Sequence, residues 1–350
     1  MMYKSKKNKE NKKKSNYIRI ARESGVSIAT VSRVINNHPY VKDETRKKVI
    51  DAMDLLGYNT NEFIIKPKSK NNGLIIFHVP SLSNPFYSKI INGANVAATR
   101  HGYHILINEG DINPGNLSHL LDILKKFDVA GLIVLNNLSS ELLDKFNSII
   151  PLVQCCEYNE DSDISYVSID DISASKMVME YILSNNRRKI ALINGPIHYK
   201  YAQHRLNGYL DVLKNANIPV ENNWIVTLPE IDYDMAVSAC SHLLNSFNRP
   251  NAIFAISDVF AAAAIKASSN IGLRVPQDVL VVGFDNVDIA IMTNPTITTV
   301  NQPKFQLGFM ACELLIEKIS DPNIPFRKIL FDVELIIRES SKVPSLTGNT

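Results

Sequence analysis

Arg33 carries the most specific chemistry that single residues of this chain offer. A guanidinium on the outer side of a short helix can fork onto O6 and N7 of a guanine, worth about 1–3 kcal/mol of discrimination. Ala29, Ser32, Arg33 and Asn36 fall at offsets of three, four and seven, so in a helix they project together. Val31, Val34 and Ile35 lie on the other side and give that helix a face to bury. A recognition helix that enters the major groove has this make-up. Any small three-helix domain could show the same spacing, so the flanking residues decide its meaning.

Those flanks supply what a helix-turn-helix needs. A first helix is expected from about Ile18, with Ile20 and Ala21 on its apolar side. Gly25 permits the positive φ of a sharp helix exit, and Ser27 is a good N-cap for the second helix. A loop at Asn36-Asn37-His38-Pro39 leads to a third helix from about Lys42 to Leu56, ended by Gly57. Val49, Ala52, Met53 and Leu56 form its inner stripe. The expected divisions are a basic low-complexity tail (1–15), an all-α helix-turn-helix head (16–60) and a linker (61–72).

Charge follows the same divisions. Residues 1–70 hold 17 Lys and Arg against 7 Asp and Glu, and the remaining residues hold 21 against 28. A basic head on an acidic body suits a polyanion-binding module fused to a sensor of neutral ligands. No apolar run approaches the roughly 20 residues of a membrane span, and the N-terminus lacks the apolar core of a signal peptide. Membrane partners are not expected. Cys155, Cys156, Cys240 and Cys312 show no Cys-x-x-Cys spacing and read as buried free thiols in a reducing cytoplasm.

Beyond residue 72 the pattern becomes alternating strand and helix. Buried parallel strands are expected at Leu74–Val79, Tyr103–Ile107, Gly131–Leu135, Leu152–Cys156, Ile190–Ile193, Trp224–Val226, Ala252–Ile256 and Val279–Phe284. Amphipathic segments separate most of them, which predicts two doubly wound α/β subdomains with a cleft between the carboxyl ends of their strands. The expected body spans 73–341, divided into about 73–170 plus 303–325 and 171–300 plus 328–341, with a tail at 342–350. Enzymatic motifs are missing: there is no Gly-x-x-x-x-Gly-Lys-Ser/Thr loop, Gly-x-Ser-x-Gly elbow or His-Glu-x-x-His. The eight histidines show no paired ligand spacing beyond His101 and His104 around Gly102, which reads as a solvated helix end. Neither a metal nor a cofactor is expected.

Over about residues 16–341 the chain resembles the lactose-repressor/galactose-repressor family of bacterial transcription regulators. Residues Gly25 to Asn36 are similar to the family's head signature, and Val41-Lys42-Asp43-Glu44-Thr45-Arg46 with Leu56-Gly57-Tyr58 to its third helix. In the body the resemblance rests on Ser83-Asn84-Pro85-Phe86-Tyr87, Arg205-Leu206-Asn207-Gly208-Tyr209 and Gly272 to Val279. Gly283-Phe284-Asp285-Asn286 and the closing Ile337-Arg338-Glu339-Ser340-Ser341 complete it. The resemblance implies a periplasmic-binding-protein-like body and a homodimer whose two heads bind half-sites of a near-palindromic operator. A small effector in each cleft would change the spacing of the heads.

It also implies roles for single residues. Ile28 and Ala29 match base-reading positions but can offer only apolar contact, while Ser27, Thr30, Ser32, Asn36 and Tyr58 match capping, phosphate or register positions. Arg19 departs from the acidic residue usual in the family. In the linker Pro67 falls at about the position of the minor-groove wedge, so a hinge helix should end near Lys66, leaving Ile64 or Ile65 as wedge or a tether with Lys66, Lys68 and Lys70 on phosphates. The implied effector residues are Phe86, Tyr87, Arg205, Asp258 and Asp285, with Tyr201 and Gln203 near Tyr199 tuning specificity. Asp170 and Tyr233 lie in candidate cleft loops, where either could instead cap the following helix. Asp, Arg and Phe or Tyr suit the hydroxyls and C–H faces of a sugar. The expected function is a cytoplasmic, nucleoid-associated repressor of carbohydrate genes answering to a sugar or sugar phosphate. The alternatives are a purine or nucleoside effector, or a catabolite-control-type protein co-effector for which Lys304 is the single candidate contact.

Overall fold

Gly25 ends helix α1 (residues 17–24) with a φ of 65°, and the Val26 amide closes the exit by donating to Ala21 O at 3.2 Å. The computed structural model describes residues 17–35, 41–56, 73–112, 115 and 117–342. The expected tail at 1–15, Asn36, Tyr58, the 61–72 linker with Pro67, and residues 343–350 lie outside the described residues. Ser27 caps α2 (Ile28–Ile35), its Oγ accepting from the Thr30 amide at 3.1 Å. Helix α3 (Asp43–Leu55) closes the head, whose core is Ile20, Ala21, Val31, Val34, Val49 and Met53. The chain divides into two compact units, Met1–Asn72 and Gly73–Thr350.

The second unit is built of two lobes. In the first, β1 (Leu74–Val79), β2 (His104–Glu109), β3 (Val129–Val134), β4 (Leu152–Cys155) and β5 (Tyr166–Ile169) alternate with α4 (Phe86–Arg100), α5 (Leu117–Lys126) and α6 (Ser140–Asn147). The chain then crosses into the second lobe. There β6 (Ile190–Asn194), β7 (Ile225–Thr227), β8 (Ala252–Ala255), β9 (Leu280–Asp285) and β10 (Thr298–Asn301) alternate with four longer helices and a short one. These are α7 (Asp171–Ser184), α8 (Lys200–Asn215), α9 (Tyr233–Leu244), α10 (Asp258–Asn270) and the short α11 (Ile289–Met292). A second crossing returns α12 (Lys304–Ser320) to the first lobe, packed along α4. Strand β11 (Lys328–Phe331) then joins the first sheet, and β12 (Glu334–Ile336) the second.

The first sheet has the order β11-β5-β4-β3-β1-β2, parallel throughout. The second has the order β12-β10-β9-β8-β6-β7, with only β12 antiparallel. Because β11 pairs with β5, the last crossing falls between residues 331 and 334, and residues 328–331 move from the second subdomain, where sequence placed them, to the first. Four strands that sequence did not yield are β5, β10, β11 and β12; Trp224 lies in a single 3₁₀ turn before β7 rather than in the strand. Strands β1 and β9 are buried along nearly their whole length, as strands inside a parallel sheet with both faces covered must be. No helix among the described residues is long and apolar enough to cross a membrane.

Helices α4 and α12 meet backbone to backbone. A Cβ on Gly308 would stand 1.8 Å from Ile90 O, and one on Gly93 would stand 2.0 Å from Phe305 O. Neither backbone can yield without separating the helices. Gly308→Ala is therefore expected to lower stability by about 1–3 kcal/mol in chemical denaturation. A change within about 0.5 kcal/mol, as for an ordinary surface site, would contradict the contact.

Candidate functional site

Arg205 sits on the inner face of α8, in line with Ala202, Gly208, Tyr209 and Val212. The motif around it has a mechanical reading. A Cβ on Gly208 would meet Ser175 Cβ at 2.6 Å and Ile172 O at 2.7 Å, so α7 and α8 can cross this closely only over glycine. Ser175 Oγ donates to Arg205 O at 2.6 Å, and Tyr209 OH pins the same helix to Ile190 O of β6 at 2.8 Å. Arg205 is thereby aimed at the carboxyl ends of the strands, and it is 5% exposed. Its Nε donates to Asp171 Oδ1 at 2.8 Å, its Nη1 donates to Ile256 O at 2.6 Å, and Asp285 Oδ1 stands 3.8 Å from Nη1. The guanidinium also lies 3.5 Å from the centre of the Phe284 ring.

Asp285 ends β9 with a φ of 103°, a conformation few side-chain-bearing residues adopt, and Asn286 follows at 52°. Lys304, 4% exposed, holds this turn: its ammonium donates to the carbonyls of Asp285, Asn286 (3.2 Å) and Gln302 (3.3 Å). Gln302 Nε2 donates to Asp285 Oδ1 at 2.8 Å, fixing the carboxylate. Lys304 is thus interior, and it offers no surface to a protein co-effector.

Arg205, Asp171, Asp285 and Gln302 meet in a cavity of about 40 Å³ between the lobes. From the first lobe it is lined by Asn84, Phe86, Tyr87, Leu135, Cys156, Glu157, Ser168, Ile169 and Leu307, with Gln302 at the crossing. From the second come Asp171, Tyr201, Arg205, Ile231, Ile256, Ser257 and Asp285. Five of the nine effector residues expected from sequence line it: Phe86, Tyr87, Tyr201, Arg205 and Asp285. The structure places the other four outside it. Asp170 caps α7, accepting from the Ser173 amide at 3.0 Å, and its neighbour Asp171 faces the cavity instead. Gln203 turns back to donate to Ile197 O at 2.8 Å. Tyr233 begins α9 and faces a separate surface hollow with Ala262 and Lys266. Asp258 opens α10 beneath the sheet, where its Oδ2 accepts from the Val287 amide at 2.7 Å, and Gly283 lacks a side chain because a Cβ there would stand 2.5 Å from Asp258 Oδ1. Sequence missed Asp171, Glu157 and Gln302, and it expected all four thiols to be buried, whereas Cys156 is half-buried and lines the cavity.

The cavity is acidic. Glu157, Asp171 and Asp285 face one cation, Arg205, whose charge is held by Asp171. Burial raises Asp285 to about 6 against the pull of Arg205 and Lys304, and raises Glu157 to about 7 against two backbone donors. Burial likewise raises Asp171, opposed by Arg205. For Arg205 burial pulls downward, and Asp171 and Asp285 more than reverse it.

On the head, Ile28, Ala29 and Arg33 are exposed, whereas Thr30 and Ser32 are half-buried. Ser27, expected at the operator, is also engaged in capping α2. Arg33 thus stands on the outer side of the second helix of a helix-turn-helix.

Comparison with known proteins places both parts. Residues 19–61 match the model described as bacterial regulatory proteins, lacI family, and residues 179–341 match a periplasmic binding protein-like domain. The HTH-type transcriptional repressor PurR of Photobacterium profundum is 32% identical over 92% of this chain and 97% of its own length. The chain belongs to the LacI family of bacterial regulatory proteins. Catabolite control protein A of Priestia megaterium is 30% identical over 92% of this chain and 98% of its own. The solved transcriptional regulator CelR–cellobiose complex, 28% identical, superposes with a TM-score of 0.71 over 93% of this chain and 99% of that one. This family member is a DNA-binding transcriptional regulator and not an enzyme.

Asp258 provides a test of the buried site. Burial, with Asp285 nearby, raises it from 3.8 to about 8, so the folded chain keeps a proton that the unfolded chain has lost. Stability is then full below the unfolded value and falls as pH rises from about 4 to about 8. The urea midpoint should fall across that window, and Asp258→Asn should flatten the fall. A wild-type midpoint that rises or stays level would contradict this.

Proposed function

We propose that this regulator is a homodimeric repressor of carbohydrate uptake or catabolism genes, and that its effector is a neutral polyol of sugar size bound between the lobes. One observation carries the effector class: among the described residues the single cation lining the cavity is already joined to Asp171, and the remaining charged groups are carboxylates. A phosphate ester would enter beside Asp285 and Glu157, whose acidic groups repel it to the extent they are ionised, with no free cation to meet it. Hydroxyls, in contrast, can donate to Asp171, Asp285 and Glu157 and accept from Gln302 or Asn84, while Phe86, Tyr87 and Tyr201 cover the C–H faces. The complex of CelR with cellobiose supports a sugar, and the burial of Lys304 speaks against a protein co-effector docking there. The operator supplies the polyanion for the basic head, with Arg33 as base reader and Ile28 and Ala29 as apolar contacts. Its place of action would be the cytoplasm, on the nucleoid.

Two variants separate the halves of this reading. Arg33→Ala is expected to lose about 1–3 kcal/mol of preference for operator over random duplex in competition binding, with nonspecific affinity retained. An unchanged preference would remove Arg33 as a base reader. Asp285→Asn is expected to keep operator affinity and to abolish the effector's influence on it in a mobility-shift titration. A retained effector response would place the effector elsewhere.

A further inference from the structure

Helix α8, which carries Arg205, begins without a side-chain cap of its own, because Tyr199 at the N-cap makes no such bond. Its first amides would be orphaned if nothing met them. Glu157 meets them from the other lobe. Its Oε2 accepts from the Lys200 amide at 2.8 Å and its Oε1 from the Tyr201 amide at 3.1 Å, and the residue is 3% exposed.

The same short stretch of the second lobe is gripped by three further loops or side chains of the first. Tyr199 OH donates to Asp111 Oδ1 at 3.1 Å, Asn137 Nδ2 donates to His198 O, and Lys200 Nζ pairs with Glu160 at 2.7 Å. The Lys200–Glu160 pair is exposed on the Glu160 side and contributes little. Glu157 is different: it is buried, uses both oxygens, and also lines the effector cavity. Parting the lobes would exchange these two charge-assisted bonds for bonds to water.

We propose that Glu157 is the positioning residue that holds the lobes closed, by capping α8 across the cleft. Closure then completes the helix that presents Arg205, and a ligand touching Arg205 and Glu157 together binds the closed form better than the open one. That regulatory consequence rests on the effector reading above; the contact itself does not.

The test therefore uses the full chain without effector. Hydrogen exchange by mass spectrometry and small-angle scattering are compared for wild type, Glu157→Ala and Glu157→Gln. Glu157→Ala should exchange the Lys200 and Tyr201 amides about tenfold faster, with β6 protection unchanged and a larger radius of gyration. Glu157→Gln keeps one acceptor oxygen and should show a smaller change in the same direction, deciding the matter should the alanine variant lose β6 protection. Unchanged exchange at the two amides would overturn the proposal. Faster exchange with an unchanged radius would also overturn it, since α8 would then fray while the lobes stayed shut. A failed search for polyol binding leaves both readouts as they are, so the two readings fail separately.

Discussion

A buried guanidinium must be matched by carboxylates, and much of the body is arranged around that requirement. Removing one partner of such a pair leaves an uncompensated charge and costs about 3–5 kcal/mol. Arg205 needs Asp171 beside it, and the close α7–α8 crossing at Gly208 brings the two together. It needs Asp285 within reach, and Asp285 is presented only by a turn with positive φ that Lys304 and Gln302 hold in place. Lys304 and Gln302 belong to the crossing between lobes, so the charge pattern of the cavity depends on a segment that joins the two lobes.

That dependence links site to output. Three crossings, at 169–171, 301–304 and 331–334, connect the lobes, and the cavity lies where the carboxyl ends of both sets of strands meet. A ligand that binds one arrangement of the lobes better than another shifts their equilibrium by the difference in its affinities and by no more. The cavity offers such a difference, since Glu157 and Arg205 come from opposite lobes and face one ligand only when the lobes are together. In the proposed reading the acidic balance of the cavity selects what can sit there, while separate residues of the head meet DNA.

The sequence made the head and the frame of the body legible because their signals are local. Ser27, Gly25 and the Val31/Val34 stripe each specify a cap, an exit or a face within a few residues. The long apolar strands were legible for the same reason. Strands β5, β10, β11 and β12 were not, because a polar residue (Ser168, Thr298, Lys328 or Glu334) interrupts each short segment, whereas β7 and β8, no longer, overlap the apolar runs Trp224–Val226 and Ala252–Ile256. At the site, Arg205 and Asp285 sat in recognisable motifs, whereas Asp170 and Asp171 are adjacent carboxylates at a helix start. Only the helix geometry decides which caps and which faces inward. Asp258 read as a cleft residue because it follows a strand, yet it turns under the sheet into the space left by Gly283. Glu157 carried no local signal at all: its partners are backbone amides more than forty residues away.

The central claim is that a cavity with one committed cation among carboxylates takes a neutral polyol. Calorimetric titration of the full chain with neutral sugars, each beside its own phosphate ester, tests it most directly. The account predicts saturable binding of a neutral sugar and a loss of about tenfold or more in affinity for its ester, from the cost of bringing unpaired negative charge among carboxylates. An ester that binds as tightly as the neutral sugar, or more tightly, would contradict it.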